Sequence, residues 1–161
     1  MSLWDLLIDR FLEKLNPREW LSLKRTVRFG ETDAAGVVHF LELFRWCHET
    51  WEESLEKYGI ALKDIFPTNE INICQLDVAL PVVHCEANYF QPLYVGDTIN
   101  IELNPEKINE SSFALRFEFK KNGEQIGTTN IKHVSINPIT REKCALSKQI
   151  NLWLDESGLN F

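Results

Sequence analysis

Asp33 is the residue whose type and setting best suit chemistry. It lies in the run Arg28-Phe29-Gly30-Glu31-Thr32-Asp33-Ala34-Ala35-Gly36-Val37-Val38-His39-Phe40, where Thr32, Asp33 and Gly36 are turn formers between a β-branched and aromatic segment and a long apolar-periodic one. That spacing predicts a strand, a short turn and then a helix. Such a junction aims the first amides of the helix at one point, where unpaired N–H groups and the helix dipole favour developing negative charge. A carboxylate just upstream of the same helix end could attack a carbonyl, or activate water against it, while those amides hold the carbonyl oxygen. Asp is equally a preferred N-cap residue, so a helix cap and a catalytic carboxylate both fit the local sequence.

The elements that must position Asp33 come from a chain of 161 residues with a formal net charge of −7. That length suits one domain over residues 1–161, with residues 1–19 as a helical extension at the N-terminus. The acidic balance argues against a nucleic-acid-binding surface, which needs clustered Lys and Arg. Cys47, Cys74, Cys85 and Cys144 show neither CxxC spacing nor pairing with histidines at metal-ligand intervals, so no metal or redox site is indicated. Scattered among apolar neighbours, they read as core fillers. Asp5, Asp9, Arg10, Glu13 and Lys14 break the N-terminal apolar run, and no stretch approaches membrane-spanning length. A soluble, cytoplasmic protein is the expectation.

Leu3, Leu7, Phe11 and Leu15 form one stripe, which predicts an amphipathic helix over residues 3–15 that ends at Asn16-Pro17. Residues 20–29 alternate as a half-buried strand, with Leu21, Leu23, Val27 and Phe29 on one face; Arg25 is a charge on that apolar side, placed at an edge or reaching a ligand. Apolar positions from Val37 to Tyr58 recur at helical spacing, including Phe40, Leu41, Phe44, Cys47, Trp51 and Leu55, and Gly59 reads as the stop. Residues 60–80 carry no period. Strands follow at Pro81–Phe90, through Ile99, Ile101 and Leu103, through Phe113, Leu115, Phe117 and Phe119, and from Gln125 to Asn137, with Asn122-Gly123 as a hairpin turn. On the first of these, His84 and Glu86 share a face, either solvated or in contact with something other than water. Ser147 reads as the cap of a short helix carrying Ile150, Trp153 and Leu154. The order predicts an α+β fold in which an antiparallel sheet wraps one central helix. The sequence contains no nucleophile elbow, P-loop or dinucleotide fingerprint.

Gly30-Glu31-Thr32-Asp33-Ala34-Ala35-Gly36-Val37-Val38-His39-Phe40, followed by Phe44-Arg45-Trp46 and Tyr58-Gly59, closely resembles the hotdog-fold thioesterases of the 4-hydroxybenzoyl-CoA thioesterase type. The segment Leu80–Phe90, with Pro92 and Gly96-Asp97, is similar to that family's second strand and following turn. The resemblance covers about residues 20–140 and leaves the N-terminal helix outside it.

The resemblance implies a hotdog fold and acyl-CoA hydrolysis without a cofactor or metal. Asp33 takes the place of the catalytic carboxylate, acting as nucleophile or general base, and the backbone N–H of Phe40 takes the place of the donor that holds the thioester oxygen. His39 has no role fixed by the resemblance; with His84 it is a candidate for contact with the acyl group. The run Ala79–His84 and the continuation Cys47-His48-Glu49 are similar to the branch that acts on 1,4-dihydroxy-2-naphthoyl-CoA in phylloquinone synthesis. Hydrolysis of another aryl-CoA or short-chain acyl-CoA, a module that binds acyl-CoA without turning it over, and a dehydratase are the competing readings. The family's site lies between subunits, which implies a homodimer or homotetramer.

Overall fold

Strict alternation of large apolar side chains builds the sheet in the computed structural model, which describes residues 2–7 and 16–158. Strands β1 (Ser22–Thr26), β2 (Val82–Tyr89), β3 (Thr98–Asn109), β4 (Ser112–Lys121) and β5 (Glu124–Val134) pair antiparallel in the order β1-β3-β4-β5-β2. Ile99, Ile101 and Leu103 of β3 and Phe113, Leu115, Phe117 and Phe119 of β4 all point inward and are buried. Asn122 and Gly123 turn β4 into β5 with φ of 51° and 80°, the left-handed pair that a two-residue hairpin demands. β2 and β1 are the edges.

Helix α1 (Glu42–Tyr58) crosses the inner face of the sheet. Leu43, Trp46, Cys47, Thr50, Trp51, Ser54 and Leu55 are its buried residues, the three-and-four spacing of one helical stripe. Gly59 ends it in the left-handed conformation, φ 109°, and its N–H closes on Leu55 and Glu56. Helix α2 (Lys148–Ser157) starts on Ser147, whose hydroxyl accepts from the Ile150 N–H at 3.3 Å, and buries Ile150, Trp153 and Leu154. Trp153 donates to Ser54 of α1 at 3.1 Å, which ties the two helices by a buried polar contact, and Trp20, ahead of β1, donates to Ser157 of α2 at 2.9 Å. This is the α+β hotdog arrangement.

Several local expectations need correction. α1 begins at Glu42 rather than at Val37, because the amides of Val38 and His39 are taken by the carbonyls of Leu93 and Glu31 (2.9 and 2.8 Å) and the segment stays extended. Phe40 therefore points out, 58% exposed, and Leu43 fills the core position instead. β1 stops at Thr26; Phe29 leaves the strand in a 3-10 turn, Phe29–Glu31, and is 81% exposed. Of the cysteines, Cys47 is a core filler, but Cys74 and Cys85 are exposed. The N-terminal helix is seen at residues 3–7, while the rest of its expected span, residues 8–15, lies outside the described residues. Residues 60–80 form an excursion with two short 3-10 turns, Leu62–Asp64 and Ile73–Gln75. No helix among the described residues is long and apolar enough to cross a membrane.

His133 of β5 is 2% exposed, stacked on Phe113 with ring centroids 5.2 Å apart and set against Trp51 at 4.7 Å. Its Nδ1–H donates to the Leu80 carbonyl at 2.8 Å, and its Nε2 has no partner among the described residues. Burial pushes its pKa down to about 4, against a smaller upward pull from the Leu80 carbonyl and a further push down from His48. The unfolded chain takes up this proton near pH 6.5, and the native protein does so only near 4. Stability is therefore complete above about pH 6.5 and falls as pH drops toward 4, by about 1.4 kcal/mol per unit. Urea unfolding between about pH 4.5 and 7.5 should show this slope, and His133→Gln should flatten it.

Candidate active site

Residues 31–39 form a narrow hairpin rather than a simple junction. The Asp33 N–H donates to Val37 (2.9 Å), the Gly36 N–H returns to Asp33 (3.0 Å), the His39 N–H reaches Glu31 (2.8 Å), and Thr32 and Val38 form a bridge. Asp33 sits at its exposed tip, where one carboxylate oxygen accepts from the Ala35 N–H at 2.8 Å. This is an Asx turn, and it corrects the helix-cap reading: α1 starts on Leu41, with no side chain capping it. Gly36 closes the turn at φ 80°, a conformation that glycine reaches without Cβ strain.

The chain then passes through His39 and Phe40 into α1. The Glu42 N–H is taken by the His39 carbonyl at 2.9 Å and the Leu41 N–H by His39 Nδ1 at 3.3 Å, whereas the Phe40 N–H has no acceptor among the described residues. The Phe40 carbonyl, on the opposite side of the residue, accepts a hydrogen bond from the Tyr89 hydroxyl at the end of β2. The local sequence pointed to the first helix amides as a group and the resemblance to the Phe40 amide; among the described residues that amide is open, as is the amide of Leu43 in the first turn. His39 lies against Phe40, ring centroids 4.6 Å apart.

Next to this entrance is a cavity of about 310 Å³, lined by Val37, Val38, Leu43, Tyr89, Leu93 and Ile126 among others. Its walls are mostly apolar, with Tyr89 and Gln91 as the polar residues, which suits a flat, aromatic guest. Asp33 and His39 thus lie on one hairpin and Phe40 directly follows it, beside one cavity. His84 does not join them within this chain. It lies five residues back from Tyr89, about 16 Å along an extended strand, and is exposed, with its Nε2 at 3.5 Å from Glu86. The His84 and Glu86 face of β2 is solvated here.

Sequence reasoning passed over Glu31 and Tyr89. Glu31 is 5% exposed, and its carboxylate accepts from the Arg28 N–H (2.8 Å), Trp46 Nε1 (3.0 Å), Arg45 Nη2 (2.7 Å) and Arg25. Burial alone would raise its pKa, but the Arg28 and Trp46 N–H donors and the Arg25 and Arg45 charges outweigh that and hold the carboxyl below its ordinary range. Arg25 also pairs with Glu49, and its guanidinium lies 4.7 Å from the centre of the Trp46 ring. The charge on the apolar face of β1 was the sequence signal for this cluster, since a buried cation needs a buried anion. Cys47, behind the cavity on α1, bonds Thr129 at 2.9 Å, and burial raises its thiol pKa to about 12, so it is held as an unreactive thiol. Among the described residues, no cluster of His, Cys, Asp and Glu could hold a metal ion.

Comparison with known proteins places residues 27–154 in the family model of the thioesterase-like superfamily. A relative from Prochlorococcus marinus (strain NATL2A), a 1,4-dihydroxy-2-naphthoyl-CoA hydrolase, is 90% identical over 155 residues, which is 96% of this chain and 100% of the relative. One of the same name from Synechococcus sp. (strain CC9311) is 51% identical, covering 86% of this chain and 91% of that one. Among solved structures, a 1,4-dihydroxy-2-naphthoyl-CoA thioesterase from Synechocystis superimposes with a TM-score of 0.75 at 26% identity, over 84% of this chain and 95% of that chain.

A Cβ at Gly36 would meet no atom within 4 Å, so the cost of Gly36→Ala is that of the left-handed backbone alone, about 1 kcal/mol. Thermal unfolding should show Tm lowered by about 2–4 °C. An unchanged Tm would show that the turn relaxes freely.

Proposed function

The chain belongs to the thioesterase-like superfamily, and from that premise we propose that it hydrolyses the thioester of 1,4-dihydroxy-2-naphthoyl-CoA, releasing the aromatic acid and coenzyme A for phylloquinone synthesis. The observation that carries the chemistry is the pairing of an exposed carboxylate, Asp33, on a hairpin with an open amide, Phe40 N–H, directly following it, beside an apolar cavity. The near-identical relative carries the choice of acyl group.

In this reading the Phe40 N–H donates to the thioester carbonyl oxygen and stabilises the charge that gathers there as the carbonyl becomes tetrahedral. Asp33 either attacks the carbonyl carbon, giving an anhydride that water then cleaves, or takes a proton from the attacking water. In both routes the carbon–sulfur bond breaks, the thiolate of coenzyme A leaves, and water supplies the new oxygen and two protons to the products. A thioester is activated relative to an ordinary ester, so this set needs no metal. The donor is a backbone group, so the Phe side chain at position 40 does not weaken the role. His39, tilted against the Phe40 ring, borders the acyl group. His84 would serve only if the quaternary structure brings it to a neighbouring site.

The family resemblance implies a site between subunits, and the β2 edge is consistent with a homodimer. It is a sheet edge with one row of backbone groups unpaired, flanked by exposed Val82, Val83, Tyr89 and Phe90. Sedimentation should give a dimer or tetramer; a fully active monomer would contradict a shared site.

Thiol release from a panel of aryl-CoA and acyl-CoA thioesters should be fastest with 1,4-dihydroxy-2-naphthoyl-CoA. Asp33→Asn keeps the Asx turn and should lower kcat at least about 100-fold with little change in KM. Binding of the panel without any thiol release would mark an acyl-CoA-binding module instead.

A further inference from the structure

We infer that Glu31 is a positioning residue for the reaction: its buried carboxylate fixes the Asp33 hairpin against α1 and β1, and so sets where Asp33 and the Phe40 N–H stand relative to the cavity. This rests on the reading of Asp33 as the reacting carboxylate.

The geometry makes Glu31 the base of the hairpin in two senses. Its main-chain carbonyl holds the returning arm through the His39 N–H at 2.8 Å, one residue before Phe40. Its side chain, two residues before Asp33, is held from three directions. One oxygen accepts from the Arg28 N–H of its own 3-10 turn, and the other accepts from Arg25 of β1 and from Arg45 and Trp46 of α1. Trp46 has no exposed surface and belongs to the core, so its indole N–H is a fixed point of the fold rather than a mobile surface donor. Arg25 lies over the same ring, so a single locus ties the hairpin to the helix and to the first strand. The tip of the hairpin has no comparable anchor. Asp33 is exposed, and among the described residues its carboxylate bonds only the Ala35 N–H within the same turn. The placement of the reacting groups therefore depends on the base, and a shift of about 1 Å at a reacting group can cost about 100-fold in rate.

A purely structural Glu31 would lower thermal stability and leave the turnover of folded protein unchanged, whereas a positioning Glu31 lowers kcat. Glu31→Gln keeps the shape but only one of the two acceptor oxygens, so it can accept from the Arg28 N–H or from Trp46 Nε1 and not from both, and it removes the charge that holds both arginines. Trp46→Phe removes a single donor and keeps most of the packing. Full-length Glu31→Gln, Trp46→Phe and Asp33→Asn proteins are assayed for kcat and KM on 1,4-dihydroxy-2-naphthoyl-CoA, with Tm measured in parallel. Glu31→Gln should lose at least about tenfold in kcat with KM within about threefold of the unaltered protein, and Trp46→Phe should lose several-fold. Folded Glu31→Gln with unaltered kcat overturns the positioning role, while an inactive Asp33→Asn beside it leaves the assignment of Asp33 standing. Full activity in Asp33→Asn overturns that assignment instead. Should Glu31→Gln fail to fold, Trp46→Phe decides: unaltered kcat overturns the inference, and a several-fold loss with a retained melting transition supports it.

Discussion

One helix has to cover the inner face of a five-stranded sheet, and Trp46 is where that packing creates a polar demand. Burying a tryptophan removes roughly 200 Å² from water, on the order of 5 kcal/mol. The same burial carries an indole N–H out of water, and leaving it without an acceptor would cost about 1–3 kcal/mol. Glu31 supplies the acceptor. A buried carboxylate in turn needs positive charge, which Arg25 and Arg45 bring from two different elements. The core, the ion cluster and the start of the hairpin are thus linked: the packing of α1 determines which polar groups must gather at its first turns, and those groups hold the segment from which Asp33 projects.

Much of this was legible in the sequence. The alternation in β3 and β4, the Asn122-Gly123 turn, the stop at Gly59 and the cap at Ser147 are local signals, and each element forms where its signal lies. The start of α1 was not legible. Val37, Phe40, Leu41 and Phe44 have helical spacing, and what keeps residues 37–39 extended is the capture of two amides by Leu93 and Glu31. The Leu93 bond joins segments far apart in the chain and leaves no trace in a local period. The same limit hid Glu31. Beside Gly30 and Thr32 it reads as a turn residue, and only the convergence of Arg25, Arg45 and Trp46 reveals a buried anion. Arg25 on an apolar face was the single local anomaly that pointed there.

The candidate site was legible in part for the same reason. Asp33 and Phe40 lie close in sequence, so a motif could carry both, and the hairpin keeps them on one segment. His84 comes from another strand and stands apart from them in a single chain, where it faces solvent. The cavity is a product of tertiary structure, assembled from the hairpin, the first turn of α1 and the segment that follows β2. Its mostly apolar walls, with the uncharged Tyr89 and Gln91 as the polar residues, discriminate by shape more than by charge, so acyl selectivity is expected to follow the ring system of the substrate. The phosphates of the coenzyme would have to meet local cations, because the chain as a whole carries a net charge of −7.

The most direct measurement of where the chemistry occurs is a crystal structure of the Asp33→Asn protein with intact 1,4-dihydroxy-2-naphthoyl-CoA. The thioester oxygen should lie within about 3 Å of the Phe40 nitrogen, with the carbonyl carbon facing the substituted side chain at position 33 and the naphthoyl ring in the cavity against Val38 and Leu43. An acyl group bound elsewhere, or a thioester oxygen turned away from Phe40, would contradict the assignment of this hairpin as the reacting centre.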